Sequence, residues 1–274
     1  MKRAAAGMPD APPTAPRGLQ VLRPITAREA IALQAARRDA VFIAGGTALQ
    51  LGWNEGIPSV LIAVDALHEA QGVRLAGQTL RIGTAVRLEA LRHDALVREH
   101  APLLAQACGE IGAFGVRNLA TLGGNIAWRM GDTLPALLAA EALAELADGR
   151  CLPLAGLLKA GTLPLLVAVH WPLHPLAFSF FEKLSHRASF SPSRLTVAGL
   201  QGPGPLCLAA GAAGLPARRL LHCETLLQRD ADASDSALSD AALADLAGDA
   251  TRARLLQRVL RGHLAARPLA ESAR

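Results

Sequence analysis

The sequence contains no tyrosine, and aromatic residues of all kinds make up only 3% of its 274 residues. Proteins that bind single-stranded nucleic acid usually combine stacking aromatic side chains with a clustered basic face. The formal charge of +5 comes mostly from arginines scattered through both halves of the chain. Those near the C-terminus are interleaved with leucine, which favours a solvated helix face over a nucleic-acid surface.

Cysteine is scarce and unclustered. Cys108, Cys151, Cys207 and Cys223 lie far apart and form no C-x-x-C pair. This spacing argues against a zinc site, an iron–sulfur cluster on this chain and a disulfide framework. Reduced cysteines are typical of a cytoplasmic protein. The eight histidines also lack ligand-like clustering, so we predict neither a metal site nor a catalytic histidine.

Long apolar runs are absent as well. The nearest approach, around Leu163–Trp171, is about half of the roughly 18 residues that a membrane-spanning helix needs, and it is typical of a buried strand. We therefore expect a soluble protein. Residues 1–18 are rich in alanine and proline and lack an apolar segment of secretory length. They are predicted to be a disordered lead-in.

Two glycine-bearing segments are the most informative features that are present. The first is Phe42–Thr47 and the second is Arg117–Asn125. Small residues with a nearby hydroxyl allow main-chain N–H groups to approach an anion closely, so the pair suggests a dinucleotide held by loops. Neither segment has the G-x-G-x-x-G spacing of a Rossmann unit. Taken alone, Gly45 and Gly46 are more typical of an ordinary strand-to-helix turn.

Strands and helices alternate without a regular βαβ order, which predicts an α+β fold. Thr26 is the expected N-cap of the first helix, with Glu29 completing a capping box. A hairpin is expected around Gly77. The predicted helices lie within residues 26–38, 87–111, 133–147, 230–250 and at the C-terminus, where Leu255, Leu256, Val259, Leu260 and Leu264 form one stripe. The predicted strands are 41–43, 60–64, 73–83 (the hairpin), 163–171, 178–183, 195–198 and 206–210.

The order of several short motifs resembles the FAD-binding (medium) subunit of molybdenum hydroxylases, the xanthine dehydrogenase and carbon monoxide dehydrogenase family. The resemblance extends from about Val21 to Arg267. It rests on the following segments in this order: Ala44-Gly45-Gly46-Thr47, Leu80–Thr84, Ile111-Gly112, Val116-Arg117-Asn118, Thr121–Ile126, Asp132, Leu134–Leu138, Gly161-Thr162-Leu163, Phe181-Glu182-Lys183 and Arg187.

The resemblance implies a two-part FAD-binding domain of the vanillyl-alcohol-oxidase-like (PCMH) type over residues 19–173. A smaller α+β C-terminal domain of the carbon monoxide dehydrogenase flavoprotein type would follow over 174–274, with Pro172 and Pro175 near the boundary. It also implies FAD as the cofactor of this chain. Molybdopterin and [2Fe–2S] clusters would belong to partner subunits, in a complex that is expected to be a dimer of heterotrimers in the cytoplasm.

The same resemblance assigns cofactor contacts. A turn around the FAD diphosphate is implied for Ala44, Gly45, Gly46, Thr47, Ala48 and Leu49. The rest of the dinucleotide is implied to meet Gly112, Thr121, Gly124 and Asn125. Asp132 would lie near the adenosine or ribityl hydroxyls, and Leu166 and Lys183 in regions that contact the flavin ring.

Other interpretations of these residues follow from the residues themselves. Asp132 precedes a helix start with Pro135, so helix capping is as good an account as ligand contact. Asn118 and Asn125 are residues that tolerate left-handed loop geometry. Arg117 fits a surface charge, a phosphate contact or a partner contact. Lys183 and Arg187 would be read as solvated without the resemblance.

Two departures from the family pattern concern the cofactor. Relatives commonly carry a carboxylate where Ala48 stands, and the segment between Asn125 and Asp132 is shorter than usual. The predicted function is an FAD-carrying electron-transfer subunit without catalytic side chains of its own. The alternatives are a flavin-free structural subunit of such a complex and a stand-alone FAD oxidoreductase. The scarcity of suitable histidine and tyrosine counts against the latter.

Overall fold

The computed structural model describes residues 18–56, 58–160, 162–187 and 191–266, so the predicted lead-in lies outside the described residues except for Gly18. The strands are β1 Gln20–Leu22, β2 Val41–Ile43, β3 Val60–Ala63, β4 Val73–Ala76, β5 Thr79–Gly83, β6 Leu143–Leu146, β7 Cys151–Pro153, β8 Leu166–Pro172, β9 Phe178–Ser185, β10 Ser193–Gln201, β11 Cys207–Ala212 and β12 Leu215–Arg219. The helices are α1 Ala27–Ala36, α2 Leu88–His93, α3 Ala95–His100, α4 Pro102–Gly109, α5 Phe114–Leu119, α6 Leu122–Ala127, α7 Leu134–Ala139, α8 Leu154–Lys159, α9 Leu221–Arg229, α10 Asp235–Asp245 and α11 Ala250–Leu264. Two 3₁₀ segments cover Leu49–Glu55 and His68–Ala70.

The first sheet is small and parallel, with strand order β1-β3-β2. Helix α1 connects its first two strands, and the predicted cap is confirmed: Thr26 Oγ1 accepts a hydrogen bond from Glu29 N at 3.2 Å. Glu29 Oε2 accepts a hydrogen bond from Ile25 N at 3.1 Å, one residue before the donor expected in a capping box. Strand β1 was not predicted from the sequence, and neither was the parallel pairing of the strands in this sheet.

The second sheet has the order β4-β5-β8-β6-β7 and is antiparallel. The hairpin around Gly77 is confirmed, and Gly77 has a φ of +58°. Apolar residues of β5 and β8 pack with helices α2, α4, α6 and α7 in one continuous core. Strand β8 begins at Leu166 rather than at residue 163, because residues 163–165 pass along a cavity before they reach the sheet.

The predicted helix over 133–147 is wrong in its second half. Helix α7 ends at Ala139, and Glu141 takes a left-handed φ of +54°. Ala142 N donates to Leu137 O and Glu141 N donates to Leu138 O, which is the Schellman pattern of helix termination. The following residues alternate in burial and form β6. Leucine, alanine and glutamate are strong helix formers, and pairing with β8 overrides that preference.

The third sheet, β12-β11-β10-β9, is antiparallel, and helices α9, α10 and α11 cover it. The predicted stripe on the last helix is confirmed. Leu256 and Leu260 are fully buried, and Leu255 and Leu264 are partly buried against the same core. Among the described residues, no helix is both long and apolar enough to cross a lipid bilayer.

A buried ion pair joins α2 to α5. Arg117 Nε donates to Glu89 Oε2, and each side chain is only 10% exposed. Arg117 also donates to Ile111 O at 3.2 Å and to Gly112 O at 3.1 Å. The Arg117 hydrogen bond, aided by one from His93, lowers the pKa of Glu89 against the opposing effect of burial. Arg117 is therefore not a surface charge, since its guanidinium is buried and holds the turn before α5.

Glu89→Gln should lower the melting temperature at pH 7 by about 2–4 °C or more, because it leaves Arg117 buried without its counter-charge. The folded pKa of Glu89 lies below the unfolded value of about 4.3, so its contribution is complete above that value and is lost as the pH falls through the folded pKa. The difference between wild type and variant should thus shrink towards pH 3.

Calorimetry between pH 3 and pH 7 measures this difference. Glu99→Gln, on the exposed side of α3, is the control and should leave the melting temperature unchanged. A Glu89→Gln variant as stable as the wild type at pH 7 would contradict the assignment.

Candidate functional site

A cavity of about 130 Å³ lies between the first and second sheets. A cavity of this size holds only part of a dinucleotide, since pockets for whole ligands of that class are several hundred Å³. Its wall brings together four of the predicted site residues, Ala44, Thr121, Gly124 and Leu166. The remaining lining residues are Phe42, Val64, Leu67, Thr84, Ala85, Gly123, Ala127, Leu163, Pro164 and Leu165. No lining residue carries a charge.

The first glycine turn follows β2 directly and leads into the 3₁₀ segment Leu49–Glu55. The main-chain N–H groups of Gly45, Gly46, Thr47 and Ala48 donate no hydrogen bond to any of the described residues. Gly46 has a φ of +69°, a conformation that side chains with a Cβ rarely adopt. Four successive N–H groups without internal partners are therefore available to an external acceptor.

Gly45 has a different role from Gly46. A Cβ at Gly45 would lie 1.9 Å from Leu119 O, so the main chain of this turn rests directly on the connection between α5 and α6. Arg87 strengthens the same contact from the other side. Its guanidinium donates to Leu119 O and pairs with Asp65 Oδ2 at 3.2 Å. The two predicted glycine segments are thus neighbours in space.

The second glycine segment forms the first turn of α6, and its N–H groups already have acceptors. Leu122 N donates to Val86 O, and Gly123 N donates to Thr84 O at 2.8 Å. Thr121 Oγ1 accepts from Gly124 N at 3.1 Å and caps the helix. This segment therefore offers an external ligand a close, small-residue wall and no open row of N–H groups.

Asn125 lies in α6 and is buried. Its Oδ1 accepts from Thr133 Oγ1 at 2.6 Å and from Thr133 N at 3.2 Å, so it links α6 to α7. Asn118 lies in α5 and donates to Phe114 O. The left-handed loop interpretation is wrong for both asparagines, since both are helical and neither has a positive φ.

Asp132 and Lys183, assigned to different parts of the cofactor, contact each other. Lys183 Nζ lies 2.9 Å from Asp132 Oδ2, and the side chains are 8% and 14% exposed. Thr196, the cross-strand neighbour of Lys183 in the third sheet, donates to Asp132 Oδ1 at 2.7 Å. Lys183 also donates to Glu110 O. Asp132 caps no N–H of α7, and the carboxylate instead ties the α6–α7 connection to β9 and β10.

Gly112 lies outside the cavity. It has a φ of +50°, and its carbonyl accepts from Arg117. Gly112 and Lys183 line a separate polar groove beside α5. Of the predicted residues, the cavity therefore gathers Ala44, Thr121, Gly124 and Leu166, while Gly112 and Lys183 lie at the groove.

Thr84 is a cavity residue to which the sequence analysis assigned no role. Its hydroxyl donates to Leu166 O at 2.8 Å, and its carbonyl accepts from Gly123 N. A Cβ at Gly123 would lie 2.8 Å from Thr84 Cβ. The Gly83-Thr84 pair belongs to the motif series, so a signal was present. The apolar wall residues carry no comparable signal in the sequence.

Solved structures with the same fold include carbon monoxide dehydrogenase from Hydrogenophaga pseudoflava lacking the Mo-pyranopterin moiety. The match has a TM-score of 0.79 at 25% identity and covers 93% of this chain and 98% of that one. Reconstituted CO dehydrogenase from Oligotropha carboxidovorans matches with a TM-score of 0.78 at 21% identity, covering 93% of this chain and all of that chain. The expected fold is confirmed.

Similar curated proteins include the xanthine dehydrogenase FAD-binding subunit of Escherichia coli O157:H7, 36% identical over 38% of this chain and 37% of that protein. The nicotinate dehydrogenase FAD-subunit of Eubacterium barkeri is 29% identical over 49% of this chain and 47% of that protein. The chain thus spans less than half the length of these relatives. The family described as the FAD binding domain in molybdopterin dehydrogenase matches residues 17–166. The chain therefore belongs to the FAD-binding family of molybdopterin dehydrogenases.

Proposed function

We propose that this chain is the electron-carrying flavin subunit of a molybdenum-containing hydroxylase or dehydrogenase. In this proposal electrons pass from [2Fe–2S] clusters of a partner subunit to FAD on this chain and then to an external acceptor. The observation that carries the proposal is the row of four N–H groups without internal partners, Gly45 to Ala48, which directly follows Ala44 in the wall of the cavity.

The residues present fit FAD. A diphosphate carries negative charge, and successive main-chain N–H groups in a turn are a common way of binding it. The cavity wall brings no carboxylate that would repel it. The buried indole Nε1 of Trp53, in the 3₁₀ segment after the turn, has no hydrogen-bond partner among the described residues. Buried polar atoms without partners are rare and call for an acceptor that the chain alone does not supply.

Each part of the chain has a definable task in this proposal. The N–H groups of Gly45 to Ala48 would hold the diphosphate, and Thr47 adds a hydroxyl donor. Phe42, Leu165 and Leu166 would exclude water from the enclosed portion. FAD supplies the redox chemistry itself, accepting and releasing electrons. The protein is left with binding, orientation and exclusion of solvent.

The remaining assigned residues enter the proposal in two groups. Thr121, Gly124 and Asn125 would shape the wall opposite the diphosphate, chiefly through Cα surfaces since their polar groups are bonded internally. Gly112, Asp132 and Lys183 would meet the part of the cofactor that extends towards the groove beside α5. Ala48 lacks the carboxylate that relatives commonly carry at this position, so it offers the cofactor only its main-chain N–H.

The proposal includes partners. Large apolar side chains are exposed on and after α5, where Phe114 is 66% exposed, Leu119 55% and Trp128 41%. Such residues support contact with other subunits. We assign the small iron–sulfur subunit and the large molybdopterin subunit as partners, in a dimer of heterotrimers. The cysteines of the described region are all free thiols, which supports a cytoplasmic location.

Gly46→Val should abolish FAD binding. The substitution forces a β-branched residue into a left-handed conformation, and its Cβ would lie 3.2 Å from Ile43 Cδ1. Misplacing two or three N–H donors, each worth about 1.5–3 kcal/mol with a charged acceptor, lowers affinity by orders of magnitude. FAD content per chain is measured by absorbance after denaturation, and circular dichroism confirms folding.

Gly77→Val is the matched control, since Gly77 has a similar φ of +58° and open space around it in the β4–β5 turn. It should cost stability and retain FAD. A folded Gly46→Val protein with stoichiometric FAD would show that this turn does not hold the cofactor.

Co-expression with the neighbouring reading frames tests the partner assignment. We expect this chain to elute with an iron–sulfur protein and a molybdopterin protein, because its exposed apolar residues near α5 are covered in the complex. Leu119→Ser should weaken that association and leave FAD content unchanged, because the exposed Leu119 side chain lines neither the cavity nor the groove. Elution of the wild-type chain as a monomer, while the other two form an active complex, would refute the assignment.

A further inference from the structure

Gln50 lies beside Gly46, in the first glycine turn. Its main-chain N–H donates to Gly46 O at 3.0 Å, which fixes residue 50 above the turn. Its side-chain Nε2 lies 3.2 Å from the position that a Cβ of Gly46 would occupy. The carboxamide therefore lies next to the position that a side chain at residue 46 would fill.

The carboxamide has no hydrogen-bond partner among the described residues, and Gln50 is exposed. A glutamine side chain carries two N–H donors and one acceptor. An exposed glutamine usually serves only to interact with water. Gln50 differs from that case because its donors lie next to Gly46, one of four successive residues whose main-chain N–H groups also lack acceptors among the described residues.

The described side chains around the turn bring no free positive charge, so an uncharged N–H donor such as a carboxamide has a role there. Residues 44–50 include no charged side chain. The guanidinium of Arg87, close behind the turn, is bonded to Leu119 O and paired with Asp65. A negatively charged ligand at this turn is consequently met by neutral N–H donors. A carboxamide adds one without bringing a charge that must be desolvated.

The buried N–H of Trp53 is a second, independent observation on the same segment. In a 3₁₀ helix, side chains three residues apart eclipse one another. Trp53 thus stands on the same side of Leu49–Glu55 as Gln50, one turn further on. The segment carries two side-chain donors without partners.

We propose that Gln50 is a cofactor-binding residue, whose carboxamide N–H donates to a diphosphate oxygen of the flavin dinucleotide. This role rests on the proposed function and adds a named side chain to it. It adds a side-chain donor to the main-chain donors of the turn, and it predicts that binding at this position depends on the diphosphate rather than on the flavin ring.

The test compares the affinities of the full-length apoprotein for FAD and for riboflavin, which lacks phosphate, by flavin fluorescence titration. Gln50→Leu should weaken FAD binding about tenfold, the effect of losing one hydrogen bond to a charged group, and leave riboflavin binding unchanged. Gln50→Glu should weaken FAD binding further, and added salt should relieve part of that loss because it screens the repulsion. Gln34→Leu, an exposed glutamine on α1, is the control and should change neither affinity.

The possible results distinguish a failure of the role of Gln50 from a failure of the proposed function. A wild-type apoprotein that binds no FAD refutes the proposed function. A wild type that binds FAD, with a Gln50→Leu variant whose affinity lies within twofold of it, overturns only the role of Gln50. Equal losses for FAD and riboflavin in Gln50→Leu, with circular dichroism unchanged, also overturn it, because the residue would then act by shaping the site.

Discussion

The contact between the main chain of Gly45 and the carbonyl of Leu119 is the constraint on which the site depends. A Cβ at Gly45 would come within 1.9 Å of that oxygen, so the first glycine turn can lie against the end of α5 only with glycine at this position. Arg87 donates to the same carbonyl and pairs with Asp65 at the end of the first sheet. These contacts hold the first glycine turn against α5, close to the cavity that Ala44 lines.

The main-chain N–H groups of the two glycine segments differ in whether they already have acceptors. At the start of α6, the N–H groups of Leu122, Gly123 and Gly124 are all bonded. Their acceptors are the carbonyls of Val86 and Thr84 and the capping hydroxyl of Thr121. By contrast, Gly45 to Ala48 donate to nothing among the described residues. A buried or half-buried N–H without an acceptor is unfavourable. The first glycine turn, Gly45 to Ala48, therefore has main-chain donors to offer an anionic ligand.

The third sheet is connected to the site by charge. Asp132, at the connection between α6 and α7, accepts from Thr196 and pairs with Lys183, both in neighbouring strands of that sheet. Removing one member of such a low-exposure pair leaves the other uncompensated. Arg117 and Glu89 perform the equivalent task between α2 and α5. Residues that resemble ligands in the sequence thus also hold the site's framework together.

The sequence by itself determined the hairpin around Gly77, the cap of α1, the stripe of the last helix and the two glycine segments, since local spacing and residue type specify these features. It did not determine β6, because the helix-forming residues of 143–146 become a strand only through pairing with β8. Nor did it distinguish Gly46, which needs a positive φ, from Gly45 and Gly123, which are required by neighbouring main chain and by Thr84. Only the tertiary structure decided which glycine N–H groups are already bonded and that Asp132 meets Lys183, because both depend on segments far apart in the chain being brought together.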